Sequence, residues 1–258
     1  MTQPAIVKAK IHSVRPVAVG HFEMLLESSQ LAAADPGQFV HVRTPGTLRR
    51  PISFSRLDRV HGRAGILWQV VGAGTGWLSQ QPTGGRLDVL GPLGRGFPAP
   101  EADRPWCLIG GGVGIPPLFA ALQIWGDSVR APITAVLGAR RGDLLVMVDD
   151  FRNRIGDVQV TTDDGSQGGQ GTVLGPLAHW RARHPNGQIY ACGPTPMLAE
   201  VAQLCRGVER VYLALEQRMG CGVGACLACV VLAQGKQGPE WRRVCHDGPV
   251  FAAKELVW

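Results

Sequence analysis

The sequence predicts a multidomain β plus α/β fold. An antiparallel β-barrel spans residues 1–100, a doubly wound parallel α/β domain spans 101–215, and a small cysteine-rich domain spans 216–258. Three observations predict it. Short β-branched or alternating runs, punctuated by Gly and Pro, fill the N-terminal part. From Glu101 onward, strand-like apolar runs alternate with helix-like ones. After Glu216 this alternation gives way to a Cys/Gly-rich tail. A chain of 258 residues accommodates such a division at roughly 100–200 residues per domain, and buries a sizeable core without disulfides.

The barrel strands are expected at Ala5–Ile11, Val17–Leu26, Gln38–Val42, Gly65–Val71 and Arg86–Leu90. Pro36-Gly37, Pro45-Gly46, Gly84-Gly85 and Gly91-Pro92 separate them, the spacing of an antiparallel barrel. One short helix is expected at Thr75–Gln80. Arg49-Arg50-Pro51-Ile52-Ser53 reads as a connection between two strands. A fixed Pro beside an Arg and a hydroxyl suits a diphosphate and a flavin edge, although alone the segment reads as a basic loop. Gly74-Thr75-Gly76 offers backbone N–H groups to the same phosphates, and Gly91–Phe97 is a glycine-rich exit from the barrel.

The α/β domain opens with a strand at Trp106–Ile109. Strands follow at Ile133–Leu137, Val158–Thr161, Ile189–Cys192 and Val208–Leu213. Helices are expected between them at Pro117–Trp125, Leu144–Phe151, Val173–Arg183 and Pro196–Cys205, which implies parallel βαβ units. The first strand runs into Gly110-Gly111-Gly112-Val113-Gly114-Ile115-Pro116-Pro117. Its third glycine comes one residue too early for G-x-G-x-x-G. The loop still has free N–H groups and a following helix start that suit a phosphate, and it reads equally as a tight βα turn. Cys192 ends a strand before Gly193-Pro194, where ligands approach an open α/β sheet; core and active-site roles are evenly matched there. Asp163 and Asp164 suit either the nicotinamide side or a turn. Arg140-Arg141 suits a ribose 2′-phosphate.

Cys221, Cys226, Cys229 and Cys245 follow the C-x₄-C-x₂-C…C spacing of plant-type [2Fe–2S] ligation. Three of these ligands share one loop, in which Gly220, Gly222 and Gly224 let the backbone curl and aim N–H groups at sulfur. A structural zinc site is the alternative, but zinc modules draw their ligands from paired loops. Cys107 and Cys205 read as small core residues.

The net charge of +6 is scattered, with Arg supplying 22 of 26 basic residues, and no reading motif accompanies it. Nucleic-acid binding is therefore not expected. The start of the chain lacks a signal-peptide pattern, and its uncharged stretches are broken by Gly and Pro, so a soluble cytoplasmic protein without a membrane span is expected.

A barrel carrying R-P-x-S followed by an α/β domain opening with the glycine loop resembles the ferredoxin–NADP⁺ reductase superfamily. With the cysteine tail added, nearly the whole chain resembles the electron-transfer subunits of type B dihydroorotate dehydrogenases. Arg50–Ser53, Gly91–Phe97, Gly110–Leu118, Thr162–Ser166, Ala191–Leu198, Met219–Cys229 and Cys245–Phe251 carry the likeness. The resemblance implies FAD at the barrel, with Arg50 on its phosphate and Ser53 near the reactive ring nitrogen. Pro51, Ile52, Leu67, Trp68, Gln69, Gly74 and Thr75 complete its lining. It implies NAD at Gly110, Gly111, Gly112 and Gly114, with Cys192 near the nicotinamide, and a [2Fe–2S] cluster facing a partner. That partner is an FMN-containing dihydroorotate dehydrogenase catalytic subunit, two copies joining two of this chain. Electrons released at its FMN then reach NAD⁺ through the cluster and FAD, in pyrimidine biosynthesis. Two alternatives stand beside this reading: an NAD(P)H-linked reductase subunit of a hydrogenase-like or ferredoxin–NADP⁺ oxidoreductase complex, and a non-catalytic zinc module.

Overall fold

The computed structural model describes residues 4–258. The first unit is a closed six-stranded barrel made from β1 (Ala5–Ala18), β2 (His21–Glu27), β3 (Phe39–Val42), β4 (Arg50–Asp58), β5 (Arg63–Gln69) and β6 (Arg86–Leu93). Its order is β1-β2-β5-β4-β3-β6 with antiparallel pairing throughout. Met24, Leu26, Phe54, Ile66 and Trp68 fill its interior. Two short helices decorate it, α1 (Ser29–Ala32) and α2 (Ala73–Ser79).

Two expectations change here. The run Val17–Leu26 is not one strand: Val19-Gly20 turns the chain between β1 and β2, with Gly20 at φ +68°. Alternation continues across so short a turn, so pattern alone does not reveal it. Arg50–Ser53 is not a connection either but the start of β4. A Pro argues against a strand because it cannot donate to the ladder. Barrel closure nevertheless pairs Pro51 with His41 and Ser53 with Phe39.

The second unit is a sheet built from β7 (Trp106–Gly111), β8 (Ile133–Ala139), β9 (Asp157–Thr162), the short β10 (Gly169–Gln170), β11 (Gln188–Cys192) and β12 (Val211–Ala214). All these strands are parallel, in the order β10-β9-β8-β7-β11-β12. Helices α3 (Ile115–Trp125) and α4 (Val148–Arg152) bury Leu118, Phe119, Leu122 and Phe151 on one face. Helices α5 (Leu174–Arg183) and α6 (Thr195–Leu204) bury Leu177, Trp180, Leu198 and Val201 on the other. The helix expected over Leu144–Phe151 is shorter, because Met147 at φ +60° breaks the helical path before Val148.

The tail forms a hairpin of β13 (Val230–Gly235) and β14 (Gly238–Arg243), then β15 (Val250–Ala252), which pairs antiparallel with β12. The chain thus leaves the α/β sheet, builds the cysteine loop, and returns to the same sheet edge. Phe39 and Leu93 of the barrel share one apolar cluster with Cys229, Val244, Cys245 and Phe251, which seats the cysteine loop on β3 and β6. Among the described residues, no helix is long and apolar enough to cross a membrane.

Candidate functional site

The cysteine loop is the most built part of the molecule. Gly222 and Gly224 hold φ +73° and +82°, the left-handed region that L side chains avoid. A Cβ at Gly222 would lie 2.5 Å from His41 Nδ1, and one at Gly224 would lie 2.9 Å from His246 Cβ. The loop therefore depends on glycine for conformation and for space. Its backbone N–H groups point at sulfur. Those of Val223, Ala225 and Cys226 donate to Cys221 Sγ at 3.3–3.4 Å, and that of Cys221 donates to Cys226 Sγ at 3.4 Å. Gly224 N–H donates to Cys245 Sγ at 3.2 Å, and Cys245 N–H to Cys229 Sγ at 3.4 Å.

The thiols meet in two pairs, Cys221 with Cys226 and Cys229 with Cys245. A cluster of two irons needs two thiolates on each, and the donor set suits it. The pairs differ electrostatically. Burial works against ionisation of Cys221, yet the N–H groups of Val223 and Cys226, the Cys226 thiol and the Ala225 N–H outweigh it and bring the thiol down to about 6. Burial, then the neighbouring Cys229, pushes Cys245 up to about 12. Arg243 braces the loop from β14: its Nη1 donates to the Gly224 carbonyl at 3.2 Å, while its Nε and Nη2 bind the Asp247 carboxylate at 2.9 and 3.0 Å.

The predicted flavin residues gather on and beside β4. Arg50 Nη1 donates to the Leu48 carbonyl at 3.1 Å. A Cβ at Gly74 would fall 2.9 Å from both Arg50 Nε and Thr44 Oγ1, so α2 begins directly against the guanidinium. Thr44 Oγ1 is buried and has no hydrogen-bond partner among the described residues. A cation, an orphaned hydroxyl and a glycine cradle are what a diphosphate requires, so the arrangement fits FAD. Basic grooves of about 340 and 250 Å³ flank Thr44, lined by Arg43, Arg49, Trp77 and Arg86 among others. The other predicted residues divide. Ile52 and Trp68 turn into the barrel core, while Leu67 packs outward against the α/β core, and Gln69 is exposed. Thr75 spends its hydroxyl on the turn that opens its own helix, accepting from Val71 and Gly72 N–H at 2.9 and 3.2 Å. Pro51 and Ser53 share the outer face of the β3–β4 ladder with His41 and Phe39.

The glycine loop meets Cys192 at the C-terminal ends of β7 and β11, where the strand order reverses and an open sheet binds ligands. Gly114 and Gly111 are packing glycines. A Cβ at Gly114 would strike the Cys192 carbonyl oxygen at 2.3 Å, and one at Gly111 would strike Met197 Sδ at 2.6 Å. Gly110 likewise abuts Ile115. Gly112, at φ +53°, faces open space, so it is the loop position a nucleotide can approach. Burial, then the Glu216 carboxylate, pushes the Cys192 thiol up to about 12. Asp164 serves a turn, accepting from Ser166 N–H and Oγ–H at 3.0 and 2.6 Å. Arg141 is bound through both Nε and Nη2 to the Asp143 carboxylate at 3.0 and 2.8 Å.

Sequence reasoning missed Thr44 and His41. Both lie in the run His41-Val-Arg-Thr44, which carries no motif. Their roles come from partners distant in sequence, Gly74 for Thr44 and Gly222 for His41. His41 is fully buried, and neither ring nitrogen has a hydrogen-bond partner among the described residues.

Residues 216–257 match the family model of the iron–sulfur cluster binding domain of dihydroorotate dehydrogenase B. The chain is 41% identical over 255 residues to the dihydroorotate dehydrogenase B (NAD(+)) electron transfer subunit of Geobacillus thermodenitrificans, covering 95% of this chain and 96% of that one. It is 40% identical over 249 residues to the same subunit of Shouchella clausii, covering 93% and 94%. Among solved structures it is similar to an NADH-dependent reduced ferredoxin–NADP oxidoreductase, with a TM-score of 0.84 and 30% identity over 98% of this chain and 91% of that one. Phthalate dioxygenase reductase shares the fold, with a TM-score of 0.65 and 18% identity over 93% and 77% of the two chains. The barrel, the α/β sheet, the four gathered cysteines and these full-length likenesses agree: the chain belongs to the family of dihydroorotate dehydrogenase B electron transfer subunits.

Proposed function

We propose that this chain carries electrons between a flavin-containing dihydroorotate dehydrogenase catalytic subunit and NAD⁺. The observation that carries the reading is the seating of the cysteine loop and Cys245 on barrel strands β3 and β6, beside the strand that bears Arg50 and Ser53. In this reading, segment 216–258 holds a [2Fe–2S] cluster on Cys221, Cys226, Cys229 and Cys245. Segment 1–100 holds FAD and segment 101–215 receives NAD. Bound FAD supplies the exchange between electron pairs at the nicotinamide and single electrons at the cluster.

The chain's own residues position and polarise. Arg50 and Thr44 take the diphosphate, and the missing side chain of Gly74 lets both groups approach the start of α2. Ser53 and Pro51 present the outer face of β4 to the ring. Gly112 admits the nucleotide, and the neutral thiol of Cys192 lines its reactive end without supplying a charge. The N–H groups around Cys221 favour the more negative, reduced cluster. No acid–base pair is required here, because dihydroorotate is oxidised on the partner.

The partner is an FMN-containing catalytic subunit, two of each chain forming the complex, in the cytoplasm and in pyrimidine biosynthesis. Val223, Leu227 and Trp241 are 46%, 61% and 68% exposed around the cysteine loop and its hairpin, which supports docking there. The tie of Arg141 to Asp143 leaves that guanidinium committed, which favours NAD over a 2′-phosphorylated nucleotide.

The test mixes the purified, coloured chain with a type B catalytic subunit and dihydroorotate. NAD⁺ reduction is expected with the wild-type chain. It is lost with Leu227→Asp, while NADH still reduces the flavin of that variant. A mixture that oxidises dihydroorotate with a dye but leaves NAD⁺ untouched overturns the proposal, as does a colourless chain containing zinc.

A further inference from the structure

The imidazole of His41 stands where the flavin strand meets the cysteine loop, and nothing in the reading above uses it. β3 alternates: Val40 and Val42 enter the barrel core, while Phe39 packs in the apolar cluster shared with Cys229 and Cys245. His41 therefore lies on the cluster side of β3. In the ladder it is paired with Pro51, two residues before Ser53. Its carbonyl is held by Arg49 Nη1 at 3.2 Å, and Arg49 is anchored on Asp88 at 2.6 Å, so the backbone carrying the ring is rigid.

Across the gap, Gly222 is bare, and its missing Cβ would sit 2.5 Å from Nδ1. The loop has given up a side chain, in the left-handed region, at the point where the imidazole arrives. The ring is fully buried with both nitrogens unpartnered. A buried polar group left unsatisfied is destabilising, so apolar packing alone would be served better by Phe or Leu. Burial, then the Arg49 guanidinium, holds the imidazole's pKa below its ordinary value, so the ring is neutral and keeps one N–H to donate; the backbone groups of Cys221 and Arg49 act the other way to a smaller extent.

We propose that His41 is a positioning residue for electron exchange between the flavin site and the cluster: its ring N–H is the donor that the Cys221–Gly222 segment takes up when the cluster is bound, and it helps set the cluster's reduction potential. The proposal rests on the redox reading above. His41 itself is neither oxidised nor reduced and keeps its proton; one electron leaves one carrier and enters the other. A donor at this segment favours the reduced cluster, which bears the extra negative charge.

The experiment compares wild type, His41→Phe and His41→Gln as complete chains loaded with FAD and iron. Anaerobic redox titration followed by electron paramagnetic resonance reads the cluster. Rapid mixing with NADH reads flavin reduction separately. His41→Phe keeps a flat ring and loses the donor. It is expected to disfavour cluster reduction about tenfold, roughly 59 mV more negative for a one-electron couple, and to alter the resonance line shape. Flavin reduction by NADH stays within about twofold of wild type. His41→Gln retains an N–H and recovers most of the potential.

An unchanged potential and line shape in iron-replete His41→Phe overturns the proposal. So does an equal shift, or equal loss of iron, in both variants, because the ring would then act by packing. A wild-type chain that binds neither flavin nor iron instead overturns the redox reading itself.

Discussion

Arg50 shows how a single side chain is prepared for a ligand. The Leu48 carbonyl steers its guanidinium, and the bare Cα of Gly74 leaves room beside it. A hydrogen bond to a charged group contributes about 1.5–3 kcal/mol. Arg50→Ala is therefore expected to weaken FAD binding about tenfold to a hundredfold, read by fluorescence titration of the flavin-free chain. Cys192 makes an opposite case. Its raised pKa keeps the thiol protonated below about pH 12, so it holds roughly a thousandfold less thiolate at pH 8 than an ordinary cysteine. Iodoacetamide should label it correspondingly slowly in the iron-loaded chain, with labelling rising toward pH 12; peptide mass mapping that finds ordinary reactivity at pH 8 contradicts this. At this scale the cysteine loop was legible, because Cys221, Cys226 and Cys229 lie within one short glycine-rich stretch. Thr44 and His41 were not, because what makes each notable is a glycine elsewhere in the chain.

The cysteine loop and its β13–β14 hairpin act as one element. Arg243 joins them, reaching the Gly224 carbonyl with one nitrogen and Asp247 with two others. The Arg243 side chain, opposed in part by burial, holds the Asp247 carboxyl well below the usual carboxylate range. A depressed carboxyl pKa stabilises the folded form above its unfolded value, about 3.9, and that contribution fades as pH falls below it. The brace is thus complete at neutral pH. Arg243→Ala is expected to accelerate chelator-driven bleaching of the cluster about tenfold at pH 7, followed by visible absorbance. Asp247→Asn should show a smaller effect, since its amide oxygen still accepts. Periodicity revealed most strands and the α/β helices, but it missed β4, β10, β13, β14 and β15. Pro51 masked β4 and Pro239 masked β14, β10 and β15 are only two and three residues long, and Val230–Ala233 of β13 is a short apolar run without alternation.

At the scale of the whole molecule, Arg56 ties the barrel to the α/β unit. From β4 it binds buried Glu23 at 2.7 Å and Asp150 of α4 at 2.7 Å, and its guanidinium lies 4.9 Å from the centre of the Phe119 ring. Leu57 N–H adds a bond to Gln123 Oε1 of α3 at 2.9 Å. Arg56→Ala leaves Glu23 with Arg15 alone and removes the ion pair to Asp150 of α4. A loss of about 2–3 kcal/mol is expected, lowering the Tm by about 5–10 °C by calorimetry, with slower flavin reduction by NADH. Length, glycine placement and cysteine spacing were enough to specify three segments and the cluster chemistry, since these signals are local and survive in an extended chain. The joining of those segments was not readable in that way. Folding returns β15 to the edge of the α/β sheet, and this carries the cysteine loop onto β3. The contacts of His41 with Gly222, of Thr44 with Gly74 and of Gly114 with Cys192 then arise between positions far apart in the chain, where close approach depends on barrel closure and sheet order rather than on any local pattern.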